Sequence, residues 1–167
     1  MTELFFTIDS SGHHSWADFE AMQAAAGRME STTFFVDVAQ WVKRAHALAD
    51  DAFRATVLDA VSRVKELTPV RTGYLRSNCS VVPGSDVETI VPGTTAPPEA
   101  VVAELKLGDA ATIINPVVYA MRVEFGFVGT DSLGRHYDQK GAGMMQQTVH
   151  ELPAIAQGAT ARVIADQ

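Results

Sequence analysis

The chain has 167 residues, the size of one domain of roughly 100–200 residues; 47% are hydrophobic and 20% charged, enough apolar material for a core and too much for a wholly disordered polymer. Against 13 Lys and Arg stand 20 Asp and Glu, and a net charge of −7 repels phosphate, which argues against a dedicated nucleic-acid binder. No apolar run reaches the ~18 residues of a membrane-spanning helix, the acidic start Met1-Thr2-Glu3 lacks a secretion signal's basic opening, and a single cysteine, Cys79, can build neither an intrachain disulfide nor a multi-cysteine zinc site.

The first 33 residues are the least regular and read as an N-terminal extension to a domain over 34–167. Within them Leu4–Ile8 predicts a short strand, and the Ala-rich Ser15–Met29 a helix with Trp16, Phe19, Met22 and Ala26 on one face. From Asp37 to about Leu67, apolar or small residues recur at Val38, Val42, Ala45, Ala49, Phe53, Val57, Val61 and Val64, a continuous helical stripe. Asp37 and Gln40 have the spacing of a capping box, and Val36 and Trp41 that of a hydrophobic staple. Pro69 disfavours helical geometry at Thr68 and ends the helix. At 1.5 Å per residue such a helix is roughly 45 Å long, so it must lean on a sheet or on a neighbouring subunit.

Beyond Pro69 the pattern turns to strands. Ser77–Val82 and Asp86–Val91 predict a hairpin about Pro83-Gly84-Ser85, and Pro92–Pro98 is too rich in breakers to be other than a loop. Val101–Leu107 and Ala111–Tyr119 predict two more strands turned at Gly108-Asp109, with Pro116 forcing a bulge or an edge. Gly126–Gly143 holds five glycines and reads as a mobile loop. The last helix, from about Gly143 to Ala165, aligns Met145, Val149, Leu152, Ala156, Ala159 and Val163, and Pro153 lies off that stripe where it can kink the helix. The order predicts an α+β domain, its long N-terminal helix and its C-terminal helix packed on one face of a small antiparallel sheet.

A search for chemistry returns little. His13-His14 are neighbours whose side chains diverge, and His46 and His150 sit on helices with no companion ligand one turn away. Cys79 lies in a strand-like run with no histidine near it in sequence. Gly126-Phe127-Val128-Gly129 lacks the lysine and the strand-to-helix setting of a phosphate loop, while the amides of Gly141-Ala142-Gly143 either hold an anion or simply turn the chain, the turn being favoured. Glu99, Glu104 and Glu124 have no spacing that nominates an acid and base pair. No catalytic, cofactor-binding or metal-binding residue is predicted.

Two phrases are more specific. The first is Thr68-Pro69-Val70-Arg71-Thr72-Gly73-Tyr74-Leu75-Arg76, directly after the long helix; the second is Asn115, Tyr119-Ala120 and Glu124-Phe125-Gly126, followed by Gly143-Met144 at the last helix. Together with Phe35-Val36-Asp37-Val38 and Trp41-Val42 they resemble the minor tail or tail-completion (neck) proteins of long-tailed bacteriophages, the family of the phage lambda minor tail protein Z type. The resemblance covers about Phe34 to Val163, and Arg71 stands where that family usually has Asp. On these residues the plain physical reading is structural: Pro69 ends a helix, Thr72-Gly73 allows a tight reversal, Leu75 packs under the helix, and Arg76 and Glu124 are candidates to pair at the junction.

The resemblance implies a virion structural protein, not an enzyme, at the head–tail joint, made in the host cytoplasm. It would form a ring with itself, a hexamer, that completes or terminates the tail tube and meets the head-side connector or stopper protein. Genomic DNA would pass through the lumen in transit, with no membrane and no cofactor involved. The long loops at 92–98 and 126–143 are then expected to bind the tail tube or neighbouring subunits. One rival is a small hydrolase using His136 or His150 with Asp131 or Asp138 of the polar 126–143 loop; another is a monomeric adaptor for one partner.

Overall fold

The computed structural model describes residues 30–85 and 90–166. The elements expected at Leu4–Ile8 and Ser15–Met29, the His13-His14 pair and most of Asp86–Val91 lie outside them. The chain divides into two compact units, Met1–Arg44 and Ala45–Gln167.

In the first unit the described part belongs to helix α1, Glu30–Leu67. It begins seven residues before Asp37, so Asp37 and Gln40 lie inside the helix and form no capping box, nor do Val36 and Trp41 staple its start. No Gly or Pro stands between Glu30 and Asp37 to stop helical hydrogen bonding from running back through them. Every side chain from Asp37 to Arg44 is exposed.

In the second unit α1 buries Val57, Ala60, Val61 and Val64, at the helical spacing that the sequence predicts. Its last turn closes with Thr68, whose amide and hydroxyl both donate to the Val64 carbonyl at 3.0 and 2.6 Å, and Pro69 follows. A one-turn helix α2 covers Tyr74–Ser77. Strand β1, Ser80–Pro83, pairs antiparallel with β2, Ala111–Ile114, with Ser80 opposite Ile114 and Pro83 opposite Ala111. Thus β1 has a partner some thirty residues on; the hairpin expected with Asp86–Val91 falls mostly outside the described residues.

The segment expected as a strand from Val101 is instead helical. Helix α3 spans Pro98–Ala103, with a proline at its first position, Glu99 in its first turn, and Pro98 and Val102 buried one turn apart; Leu105, past its end, is buried too. The expected strand Ala111–Tyr119 is cut to β2 and followed by helix α4, Ala120–Phe125. The 126–143 stretch is an ordered hairpin: β3, Gly126–Thr130, pairs with β4, His136–Lys140. Its turn is held by Asp131, whose Oδ1 accepts the amides of Leu133 and Arg135, each at 2.9 Å, while Oδ2 accepts Arg135 Nε at 2.7 Å. Helix α5, Met144–Ala165, runs through the exposed Pro153 as one helix.

The fold is α+β, with long helices and small antiparallel sheets that, among the described residues, have two strands each. Its core gathers Val57, Val61 and Val64 of α1, Leu75, Cys79, Val81, Val102, Leu105, Val117, Ala120 and Met144. Of the apolar stripe expected to bury α5, Ala159 is buried and Met145, Ala156 and Val163 are half-buried, but Val149 and Leu152 are exposed, and Met144 and Thr148 are buried in the first turns instead.

Ion pairs close the seam between α1 and α5. Arg63 grips Glu151 with two hydrogen bonds, Nε to Oε2 at 2.6 Å and Nη2 to Oε1 at 3.0 Å, and Arg162 pairs with Asp59. The hydrogen bonds from Arg63 hold the Glu151 carboxyl below its ordinary range, against a smaller opposing effect of desolvation. A depressed carboxylate stabilises the fold above its unfolded pKa and loses that contribution as pH falls through its folded one. Glu151→Gln should therefore lower the melting temperature at neutral pH, and the gap to the wild type should close on strong acidification. Thermal melts across that range check it; a gap independent of pH would contradict it.

Candidate functional site

The first phrase of the sequence motif forms a compact turn. Thr68 is buried, and its hydroxyl, donated to the Val64 carbonyl, lies 3.2 Å from the sulfur of Met144. Arg76 Nη2 reaches back to the Thr68 carbonyl at 3.0 Å. Between them Gly73 takes φ of 82°, a left-handed conformation that side chains rarely adopt, and its carbonyl receives the amide of Ser77 at 2.9 Å. Leu75 is buried, and its carbonyl accepts Asn115 Nδ2 at 2.9 Å, while Asn115 Oδ1 accepts the Val117 amide at 3.3 Å. Asn115 thus fastens the end of β2 to α2.

The second phrase forms the start of α5. Tyr119, half-exposed, precedes α4, whose inner face is Ala120 and Glu124. Glu124 is buried, and both its carboxylate oxygens accept amides from the first turn of α5: Met145 to Oε2 at 3.0 Å and Gln146 to Oε1 at 2.9 Å. The backbone joins in, since the Glu124 carbonyl accepts the Gly143 amide at 3.0 Å and the Val123 carbonyl that of Ala142 at 2.7 Å. The first amides of a helix have no partner of their own and carry positive partial charge, so a carboxylate there satisfies both needs.

Side-chain-free glycines permit this approach. A Cβ on Gly126, at φ of 84°, would lie 2.5 Å from the Gln139 carbonyl oxygen, and one on Gly141 would overlap the Glu124 carbonyl. Gly143, at φ of 61°, then leads into α5 and sets Met144 against Thr68.

Most residues singled out in the sequence therefore converge: Thr68, Gly73, Leu75, Arg76 and Asn115 on one side, Ala120, Glu124, Gly126, Gly143 and Met144 on the other, touching at Thr68 and Met144. Pro69, Val70, Thr72 and Tyr119 line a cleft of about 650 Å³ beside this lock, with Arg71 and Gln139. One expected contact fails. Arg76 and Glu124 are not paired: Arg76 serves the Thr68 carbonyl, and the nearer amides of α5 take both oxygens of Glu124. Gly141-Ala142-Gly143 is the turn that the sequence favoured: the amides of Ala142 and Gly143 go to backbone carbonyls, and the carboxylate of Glu124 sits on the next amides, those of Met145 and Gln146. The sequence reading named Gly141 and Asp131 but missed their roles, the close approach of Gly141 to Glu124 and the turn that Asp131 holds, although Asp131-Ser132-Leu133-Gly134-Arg135 is a recognisable turn.

The remaining chemical candidates stay apart. Cys79 is buried, and burial raises its thiol to about 11, which disfavours the reactive thiolate. His136 opens β4 and His150 lies on α5, both exposed. Asp131 is taken up by its own turn, its carboxyl held below the ordinary range first by hydrogen bonds from Arg135. Among the described residues no hydrogen bond joins either histidine to Asp131 or Asp138, and no three His, Cys, Asp or Glu side chains gather as metal ligands. No described helix is long and apolar enough to cross a membrane. Neither protein-family models, curated proteins nor solved structures give a significant match to this chain.

Removing the cap carboxylate leaves two amides without acceptors. Glu124→Ala is expected to cost roughly 2–3 kcal/mol and Glu124→Gln, which keeps one acceptor oxygen, about half of that. Gly126→Ala combines a forbidden φ with an overlap, at about 1–3 kcal/mol. Denaturant midpoints test all three; a Glu124→Ala protein as stable as the wild type would show that the cap does not hold α5.

Proposed function

We propose that the chain is a structural protein of a phage particle, placed at the head–tail joint. Copies of it close a ring of six that completes or terminates the tail tube and joins it to the head-side connector. One observation carries the reading. The two phrases on which the resemblance to tail-completion proteins rests are far apart in sequence, yet they form one lock, with Thr68 against Met144 and Glu124 on the amides of α5. The polar groups of this lock are engaged in holding α1, α4 and α5 together, which suits a motif that fixes a subunit's shape.

Two further features fit. The β3–β4 hairpin exposes Val128 and Leu133, apolar side chains on an element shaped for contact with a tube or a neighbour. Six copies at −7 each would carry −42, and an acidic wall repels the phosphates of DNA in transit through the lumen. Such a protein folds in the host cytoplasm and ends in the virion.

Particles made without this protein should contain tails that overgrow or fail to join heads, and electron microscopy of the complete virion should place it as a ring at the neck. Virions that lack the polypeptide, or hold it only as single copies away from the neck, would refute the assignment.

A further inference from the structure

An apolar stripe on a helix exists to be covered, because most helical stability in a protein comes from packing such a face. Among the described residues two helical stripes are bare. On α1 the side chains of Val38, Trp41 and Val42 stand on a stretch exposed all round, Trp41 at 65%. In the unit 45–167, Val118 and, on α4, Met121 and Phe125 face outward at helical spacing, as do Val149 and Leu152 on α5; Val118 is 96% exposed and Val149 69%. Met121 and Met145 bring these two helices together around a hollow of about 250 Å³ floored by Pro116, Val117 and Ala120.

Charge indicates what covers them. Met144–Pro153, the first ten residues of α5, contain one charged side chain, Glu151, already held by Arg63. A surface shaped for a basic partner would be acidic. Copies of this chain carry −7 each, and like-charged molecules meet best where the contact adds nothing to that surplus: beside the α1 stripe Lys43 and Arg44 outnumber Asp37. The shapes differ as well: one stripe is a ridge bearing an indole, the other a recess flanked by methionines, which adapt to what enters them. Tryptophan is the common anchor of such contacts. A ridge of one copy in the recess of the next is a heterologous contact, the kind that closes into a ring.

We infer that Trp41 of one copy, flanked by Val38 and Val42, seats in the Met121–Met145 hollow and against Val149 of the next copy. The contact gives the proposed ring its interface and rests on that reading.

Trp41→Asp spoils only the ridge and Val149→Asp only the recess, and both positions are exposed, so each variant should keep its far-ultraviolet circular dichroism. Light scattering on the full chain should show an oligomer for the wild type and 18.0 kDa for each variant alone. An equimolar mixture of the two variants should reach twice that mass and stop, because one sound ridge meets one sound recess. A mixture that stays monomeric while the wild type assembles overturns this contact and leaves the ring standing. So does a variant that assembles like the wild type; if Trp41→Asp then also melts lower, the α1 stripe is covered by a segment of its own chain. A wild type that is monomeric at every concentration, with a monomeric mixture, overturns both the contact and the ring.

Discussion

The bonding of Glu124 to the first turn of α5 decides where three helices meet. A carboxylate out of water is costly unless its oxygens are satisfied. Here each oxygen receives one amide, and two backbone carbonyls beside it receive two more. Four hydrogen bonds in so small a space require backbones to touch, which is why Gly126 and Gly141 face atoms where a Cβ has no room. The cap fixes the start of α5, the start of α5 fixes Met144, and Met144 rests on Thr68 at the end of α1. The helix ends are therefore set by polar geometry, and the apolar core fills in behind them.

That order of control explains which face of α5 is buried. The first turns of the helix have two usable edges, one along Met145, Val149 and Leu152, the other along Met144 and Thr148. Hydrophobicity favours the first edge. The cap turns the second inward, and Thr148 is tolerated there because its hydroxyl donates to the Met144 carbonyl at 2.8 Å. The more apolar edge is left on the surface.

Where the fold was legible in the sequence, a repeated local signal agreed with the tertiary outcome. The α1 stripe from Val57 to Val64 and its stop at Pro69 are of this kind, as is the α+β class. The misreadings have physical causes. Asp37 has the chemistry of a cap, but a cap marks a helix start only if the preceding residues cannot be helical. Val101–Leu107 looks β-prone by composition, yet Pro97-Pro98 sets the backbone for a helix start and Pro98 and Val102 are spaced to bury from one. The glycines of 126–143 read as slackness, whereas two of them are demanded by close packing of an ordered hairpin. Of the lock, the residue types and their order were readable in the sequence; the partner of Glu124 was not, because an amide at a helix start leaves no trace in residue identity.

Charge completes the account. Arg54 with Asp51, Arg63 with Glu151 and Glu66, Arg135 with Asp131 and Arg162 with Asp59 place four of the chain's cations in internal ion pairs, two of them bridging α1 and α5. These pairs are largely exposed and individually weak. Their effect lies in placement: they tie α1 to α5 and hold the β3–β4 turn, and since each cation takes up at least one carboxylate they leave the chain's acidic surplus of −7 as it is. A molecule so charged resists indiscriminate association through long-range repulsion. It can then carry bare apolar edges, since only a partner whose shape brings many apolar atoms into contact at once overcomes that repulsion. Repulsion at long range and apolar attraction at short range select for fit; the first comes from the net charge, and the polar cap adds to the second by turning the apolar edge of α5 outward.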